Sequence, residues 1–286
     1  MRSTPLVRIS GLLGLALSPL PAGATGFAPS IPQRVAMADI VVIGKVKSIE
    51  RKTVTVAAPM SLLPASKQLE YQIVNVTVQE NIVGSKKDAD VRVGVQIVDL
   101  IDGRGARRIP LMNLALGQQG LLFLTKHSTG DFYPTGMQYL FVDKRDPGFD
   151  KDVAAAKRCA EMLKDPEKYL TSKDPEERLT TAGLLLGRYT GTGMFGEVRE
   201  VKREPIAAQE SKLIMLALAD GEWVKLNSPS GFAAPLLFYQ VGATEKEGWT
   251  PPKDGSKMAE EAKKWLRANA DKFRIQRVVI EKPDMK

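Results

Sequence analysis

Apolar residues change their period once along this chain, from every second position to every third or fourth, and the change falls near residue 150. The clearest strand signal is Ala38-Asp39-Ile40-Val41-Val42-Ile43-Gly44-Lys45-Val46. It places Ile40, Val42 and Val46 on one face and Val41, Ile43 and Lys45 on the other. Gly44 inside such a run predicts a bulge or tight bend. The strand is expected to reach Arg51 and turn back through Thr53-Val54-Thr55-Val56, before a loop over residues 57–68 that carries Pro59 and Pro64. A second strand is expected over residues 71–82, and the alternation of Val91, Val93 and Val95 predicts a third. Residues 99–110 read as a charged, glycine-containing excursion. Gly117 to Gly120 predicts a turn into the apolar strand Leu121-Leu122-Phe123-Leu124. Gly130-Asp131 predicts a hairpin onto Phe132-Tyr133, and residues 139–142 a last strand. About five main strands of this kind fit a small, closed or nearly closed antiparallel barrel.

Beyond residue 150 the spacing is helical. Residues 150–163 form one segment, broken at Asp165-Pro166. Asp174 as cap, Pro175 at the first helical position and Glu177 at capping-box spacing announce the next. Its apolar face is Leu179, Ala182, Leu185 and Leu186. Helices are expected over 205–219, 232–241 and 258–273, with Pro251-Pro252 as a stop, and an extended closing segment over 274–280. Trp223, Trp249 and Trp265 are spaced through this half and read first as inter-helix packing.

The start of the first strand, the Tyr71-x-Ile73 run to Val83-Gly84, and Gly117-x-x-Gly120-Leu121-Leu122-Phe123-Leu124 together resemble the netrin/TIMP-like OB barrel, over about residues 32–142. That resemblance implies a secreted binding module. Inhibitors of that type chelate a protease zinc through an N-terminal cysteine; no such cysteine is present here, so only the fold and the binding role are implied. The helices more weakly resemble HEAT repeats, without a fixed period.

The first 24 residues are set apart. Arg2 and Arg8 precede an apolar run from Ile9 to Leu17, followed by Ala22-Gly23-Ala24. That order predicts a secretory signal peptide cleaved between Ala24 and Thr25. The run is too short for a spanning helix, so no membrane span is expected after cleavage.

The 286 residues carry a formal charge of +8, but it is spread. Residues 25–150 hold 15 Lys/Arg against 12 Asp/Glu, and residues 151–286 hold 24 against 21. Nucleic-acid binders concentrate basic charge, so no nucleic-acid partner is expected. The densest cluster is Arg104, Arg107 and Arg108, read as a solvated loop able to meet a partner. Cys159 is the only cysteine and His127 the only histidine, which removes an intramolecular disulfide and a Cys/His zinc site. His127, between Lys126 and Ser128, reads as a solvated turn. Gly191-Thr192-Gly193-Met194-Phe195-Gly196-Glu197-Val198 matches a kinase glycine loop in letters, but a helix precedes it and no His-Arg-Asp or Asp-Phe-Gly follows. The acidic pairs Glu176/Glu177 and Glu260/Glu261 sit at helix starts, where the macrodipole accounts for them.

The expectation is an exported α+β protein of the periplasm or exterior. It comprises an OB-like barrel over 32–145 and an α-helical domain over 150–286. It binds or scaffolds another envelope or extracellular protein or polymer, through the barrel loops at 57–68 and 99–110, with no cofactor, metal or catalytic residue. The reading from a different class is a hydrolase using carboxylates between the two domains.

Overall fold

A computed structural model describes residues 29–57, 68–85, 89–102, 105–127, 131–135, 140–190, 202–223 and 231–279. It is a mixed α+β fold, as the change of period predicts: a curled antiparallel half-barrel sheet followed by helices. The strands are β1 (Ile40–Ala57), β2 (Gln68–Val83), β3 (Asp90–Asp102), β4 (Gly105–Pro110), β5 (Gln119–Leu124), β6 (Tyr133–Thr135) and β7 (Phe141–Asp143). They lie in the order β4-β3-β2-β1-β5-β7, and β6 pairs with β3.

At the start of β1, from Ile40 to Val42, both faces are buried, for different reasons. Val42 pairs with Leu122, and these residues join Ile40, Val74, Val76, Val91 and Val93 in the core on the concave side. Val41 pairs with Phe123, and these point the other way, into a core shared with the helices. The curl is built by irregularities in the β1–β2 register, one of them between Ile43 and Gly44. At Gly44 a Cβ would meet Val76 Cγ1 at 2.4 Å, so only glycine lets the strands approach there.

Three strand expectations need correcting. β1 does not turn back near Arg51. It advances from Ile49 to Thr53 while β2 moves only from Val74 to Gln72, so the extra residues are absorbed as a bulge and one long strand results. Residues 99–102 and 105–110 are not an excursion, because Asp99 pairs with Arg108 and Asp102 with Gly105 in the antiparallel β3–β4 pair. The short β6 is not the hairpin partner of β5. It pairs in parallel with β3, Val93 opposite Tyr133, and β7 takes the place beside β5. Residues 58–67, within the other expected contact loop, lie outside the described residues.

The helices are α1 (Ile31–Met37), α2 (Phe149–Lys164), α3 (Pro166–Leu170), α4 (Pro175–Tyr189), α5 (Ala208–Asp220), α6 (Ala234–Val241) and α7 (Met258–Asn269). Two four-residue strands, β8 (Lys202–Pro205) and β9 (Gln276–Val279), pair antiparallel as the extended closing segment predicts. Asp174 caps α4 by accepting from the Glu176 N–H at 2.9 Å, and Pro175 opens the helix. Glu177 does not close a capping box; it accepts from Ser172 and pairs with Arg158.

α4 is the central helix, with every residue from Leu179 to Leu186 buried. Phe232 fills the space above Gly183, where a Cβ would meet its ring at 2.4 Å. One apolar core runs from Val35, Val41, Leu121 and Phe123 through Phe149 and α4 to Trp265 and Ile275. The change from strand to helix near residue 150 is therefore not a break in packing. Among the described residues no helix is long and apolar enough to cross a membrane.

Candidate functional site

The ends of β1, β2 and β3, with β4, continue as a four-stranded ribbon. Val54 pairs with Tyr71, Val56 with Leu69, Val98 with Ile109 and Leu100 with Arg107. Partners across an antiparallel pair share a face. Tyr71 pairs with Gln96, two residues before Val98, so period-two alternation gathers all these side chains on one face. The opposite face carries Thr53, Thr55, Glu70, Gln72, Asp99 and Arg108. The ribbon is thus amphipathic, with solvent on its polar face and an apolar face that is itself partly exposed. Leu100 is 47% exposed, Ile109 38% and Leu111 37%.

The expected arginine cluster resolves unevenly. Arg108 pairs with Glu70 and lies 3.8 Å from Asp99, on the polar face. Arg107 stands beside Leu100 on the apolar face, with no ion-pair partner among the described residues. Arg104 lies outside the described residues, as do Ala24, Thr25 and the Gly191–Val198 motif.

At the root of this face sits an aromatic cluster that overturns the reading of His127 as a solvated turn. His127 is 2% exposed. Its ring stacks on Phe132, with centroids 5.1 Å apart and planes at 27°, and meets Tyr71 edge-on at 6.1 Å. Phe132 is delivered by the return of the chain after β5, held by a His127 N–H to Phe132 carbonyl bond of 3.0 Å. The Tyr71 hydroxyl is buried with no hydrogen-bond partner among the described residues, and burial pushes its pKa up to about 12. Val54, Val56 and Leu69 pack against this cluster and grade it into the exposed part of the ribbon.

A second concave feature lies in the helical half. A cavity of about 680 Å³ is bounded by the last turn of α6, the end of α7 with the turn after it, and the β8–β9 ribbon. Its floor continues into an aromatic chain in which Phe238 meets Trp223, Trp249 and Trp265, and Trp265 meets Phe273. The tryptophans pack between helices, as their spacing predicts, and Phe273 reaches the cavity wall.

The remaining candidates are structural. Cys159 is buried in the shared core and its thiol is pushed up to about 12 by burial, which disfavours the reactive thiolate. Glu177 is held below the usual carboxylate range by the Ser172 hydroxyl and by Arg158. Among the described residues no group of three His, Cys, Asp or Glu side chains is placed to hold a metal ion. The ribbon face and the cavity were both invisible as motifs; only the exposed apolar residues, once placed in register, reveal the first. Comparison with known proteins returned no matching family, no matching curated relative and no matching solved structure.

Proposed function

We propose that the chain is an exported, non-enzymatic binding protein that takes a partner protein on the apolar face of the four-stranded ribbon. The observation that carries this reading is the exposed row Leu100, Ile109 and Leu111 beside Arg107, which has no ion-pair partner among the described residues. An exposed apolar patch with a charged neighbour is the composition of a contact surface rather than of an ordinary solvated face. Contact belongs to the face and not the edge. β4 is the outermost strand, and its Arg107, Arg108 and Pro110 are residues that discourage edge-to-edge pairing. An apolar sheet face is buried against a helix or a second sheet, and of these the occupant proposed is an amphipathic helix, with a carboxylate placed against Arg107.

Two further elements belong to the same reading. Export rests on the charged, apolar and small-residue order of the first 24 residues. A netrin/TIMP-like OB barrel is supported by the curl of the sheet, to which β6 adds a short parallel strand beside β3.

The test places a photo-crosslinking side chain at position 100, 109 or 55 of the full chain, in the native envelope and culture fractions. Adducts with one partner protein from 100 and 109, none from 55 on the polar face, and loss of capture in Leu100→Asp with Ile109→Asp support the reading. Absent adducts, equal adducts from position 55, or adducts only between copies of this chain overturn it. Export stands if the mature chain begins at Thr25, and falls if the cell retains a chain still beginning at Met1.

A further inference from the structure

We infer that the cavity between α6, α7 and the β8–β9 ribbon is a binding site for an acidic sugar, a polyhydroxylated unit bearing a carboxylate. The charge balance of its wall comes first. Arg203, Lys272 and Arg274 line it, and none of them has a carboxylate within ion-pair distance among the described residues. Neighbouring cations outside it are paired: Lys202 and Arg277 with Glu204, and Lys212 with Asp271. The acid in the wall, Glu247, is already committed. It accepts from the Thr244 N–H at 3.1 Å and from the Thr244 hydroxyl, closing a capping box, and these bonds hold it below the usual carboxylate range. Three positive side chains therefore line the cavity against one carboxylate, Glu247, with Asp271 acting on Arg274 from beyond ion-pair distance, so the wall keeps a positive excess.

Arg274 is also oriented. Its Nη1 donates to the carbonyls of Asp271 and Phe273 at 3.0 and 2.8 Å, so the guanidinium plane is set before any ligand arrives. That arrangement suits a planar carboxylate.

The rest of the wall asks for more than an anion. The Gln240 Oε1 is buried without a hydrogen-bond partner among the described residues, and Asn269 spends its Nδ2 on the Trp265 carbonyl at 2.9 Å, leaving Oδ1 as an acceptor. Both are acceptors, and a small turn of the Gln240 carboxamide towards a ligand hydroxyl satisfies its oxygen. Tyr239, 69% exposed at the rim, offers an aromatic face on which a sugar ring can stack. A cavity of about 680 Å³ lies in the range of ligand pockets and exceeds what a lone inorganic anion fills.

The experiment is calorimetric titration of the full chain with a short galacturonate oligomer, with galactose and with inorganic phosphate. The oligomer is expected to bind while galactose and phosphate do not. Arg203→Ala and Lys272→Ala, both at exposed positions, are each expected to weaken binding about tenfold. Tyr239→Ala is expected to weaken it, and Lys212→Ala, which removes a paired cation outside the wall, to leave it unchanged. Phosphate binding as tightly as the oligomer, with Tyr239→Ala silent, overturns the sugar assignment. No binding of the oligomer, or binding indifferent to Arg203→Ala and Lys272→Ala, overturns the site.

Discussion

Phe132 occupies the space that a side chain at Gly94 would need: a Cβ there would meet Phe132 Cδ2 at 2.5 Å and Tyr71 Cδ1 at 3.3 Å. The clash falls on a packed ring rather than the free end of a flexible chain. Gly94→Ala is therefore expected to destabilise the fold by about 1–3 kcal/mol and to lift Phe132 off His127. Urea unfolding midpoints check the first part, and shifts of the His127 ring resonances the second. An unchanged midpoint would mean that the ring moves aside freely.

The Tyr71 hydroxyl gives a prediction of the opposite sign. It is buried with no hydrogen-bond partner among the described residues, so Tyr71→Phe removes a desolvated polar group and keeps the ring. The variant is expected to be as stable as the parent or more stable by about 1 kcal/mol at neutral pH. The pH dependence follows from the raised pKa, from the ordinary 10 to about 12. The native state holds the proton more tightly, so this contribution is complete below pH 10 and is lost as pH rises towards 12. The stability curve of the parent is expected to fall more steeply than that of Tyr71→Phe across that window. Parallel curves would remove Tyr71 as the cause.

Glu177 works in the acid direction. Its carboxylate accepts from Ser172 Oγ at 2.6 Å and pairs with Arg158, which tie the start of α4 to α2. Because its pKa is depressed in the folded state, the contribution is present above the ordinary carboxylate pKa and lost as pH falls through the folded value. Glu177→Gln is expected to lower the thermal midpoint at neutral pH, with the difference from the parent closing on acidification. Differential scanning calorimetry at several pH values reads this directly.

Cys159 reports on whether sheet and helices unfold together. Its thiol is buried in the core that also contains Val41, Phe123 and Val142. Labelling by a thiol reagent is expected to be slow in the native protein and to rise at the same urea concentration at which the sheet signal is lost. Labelling at a clearly lower concentration would show that the helices open first.

Much of this architecture was legible in the chain. The strict alternation around Val91, Val93 and Val95 and the Asp174-Pro175 start of α4 are local signals, and local signals survive folding. The β3–β4 pair was not legible, because Asp99 and Arg108 look like solvated loop residues until cross-strand pairing sets them opposite one another. His127 was misread for a related reason. Its sequence neighbours are polar, and its burial comes from Phe132 returning over it, a contact no period records. The cavity in the helical half is more distant still, since Arg203, Lys272 and Gln240 meet only after α6, α7 and two short strands are packed.

The contact between α1 and α4 has a consequence for the birth of the molecule. Ala36 sits against Gly187, where a Cβ would meet it at 2.9 Å, and Arg188 Nη2 donates to the Ala38 carbonyl at 3.4 Å. A ribosome finishes α1 long before it begins α4, so α1 waits about 150 residues for the surface that holds it. Long-range closure of this kind slows folding and keeps the nascent chain open. Val35 and Ala36 are left exposed through that interval, and a holdase that shields an apolar segment near the N-terminus would find them there.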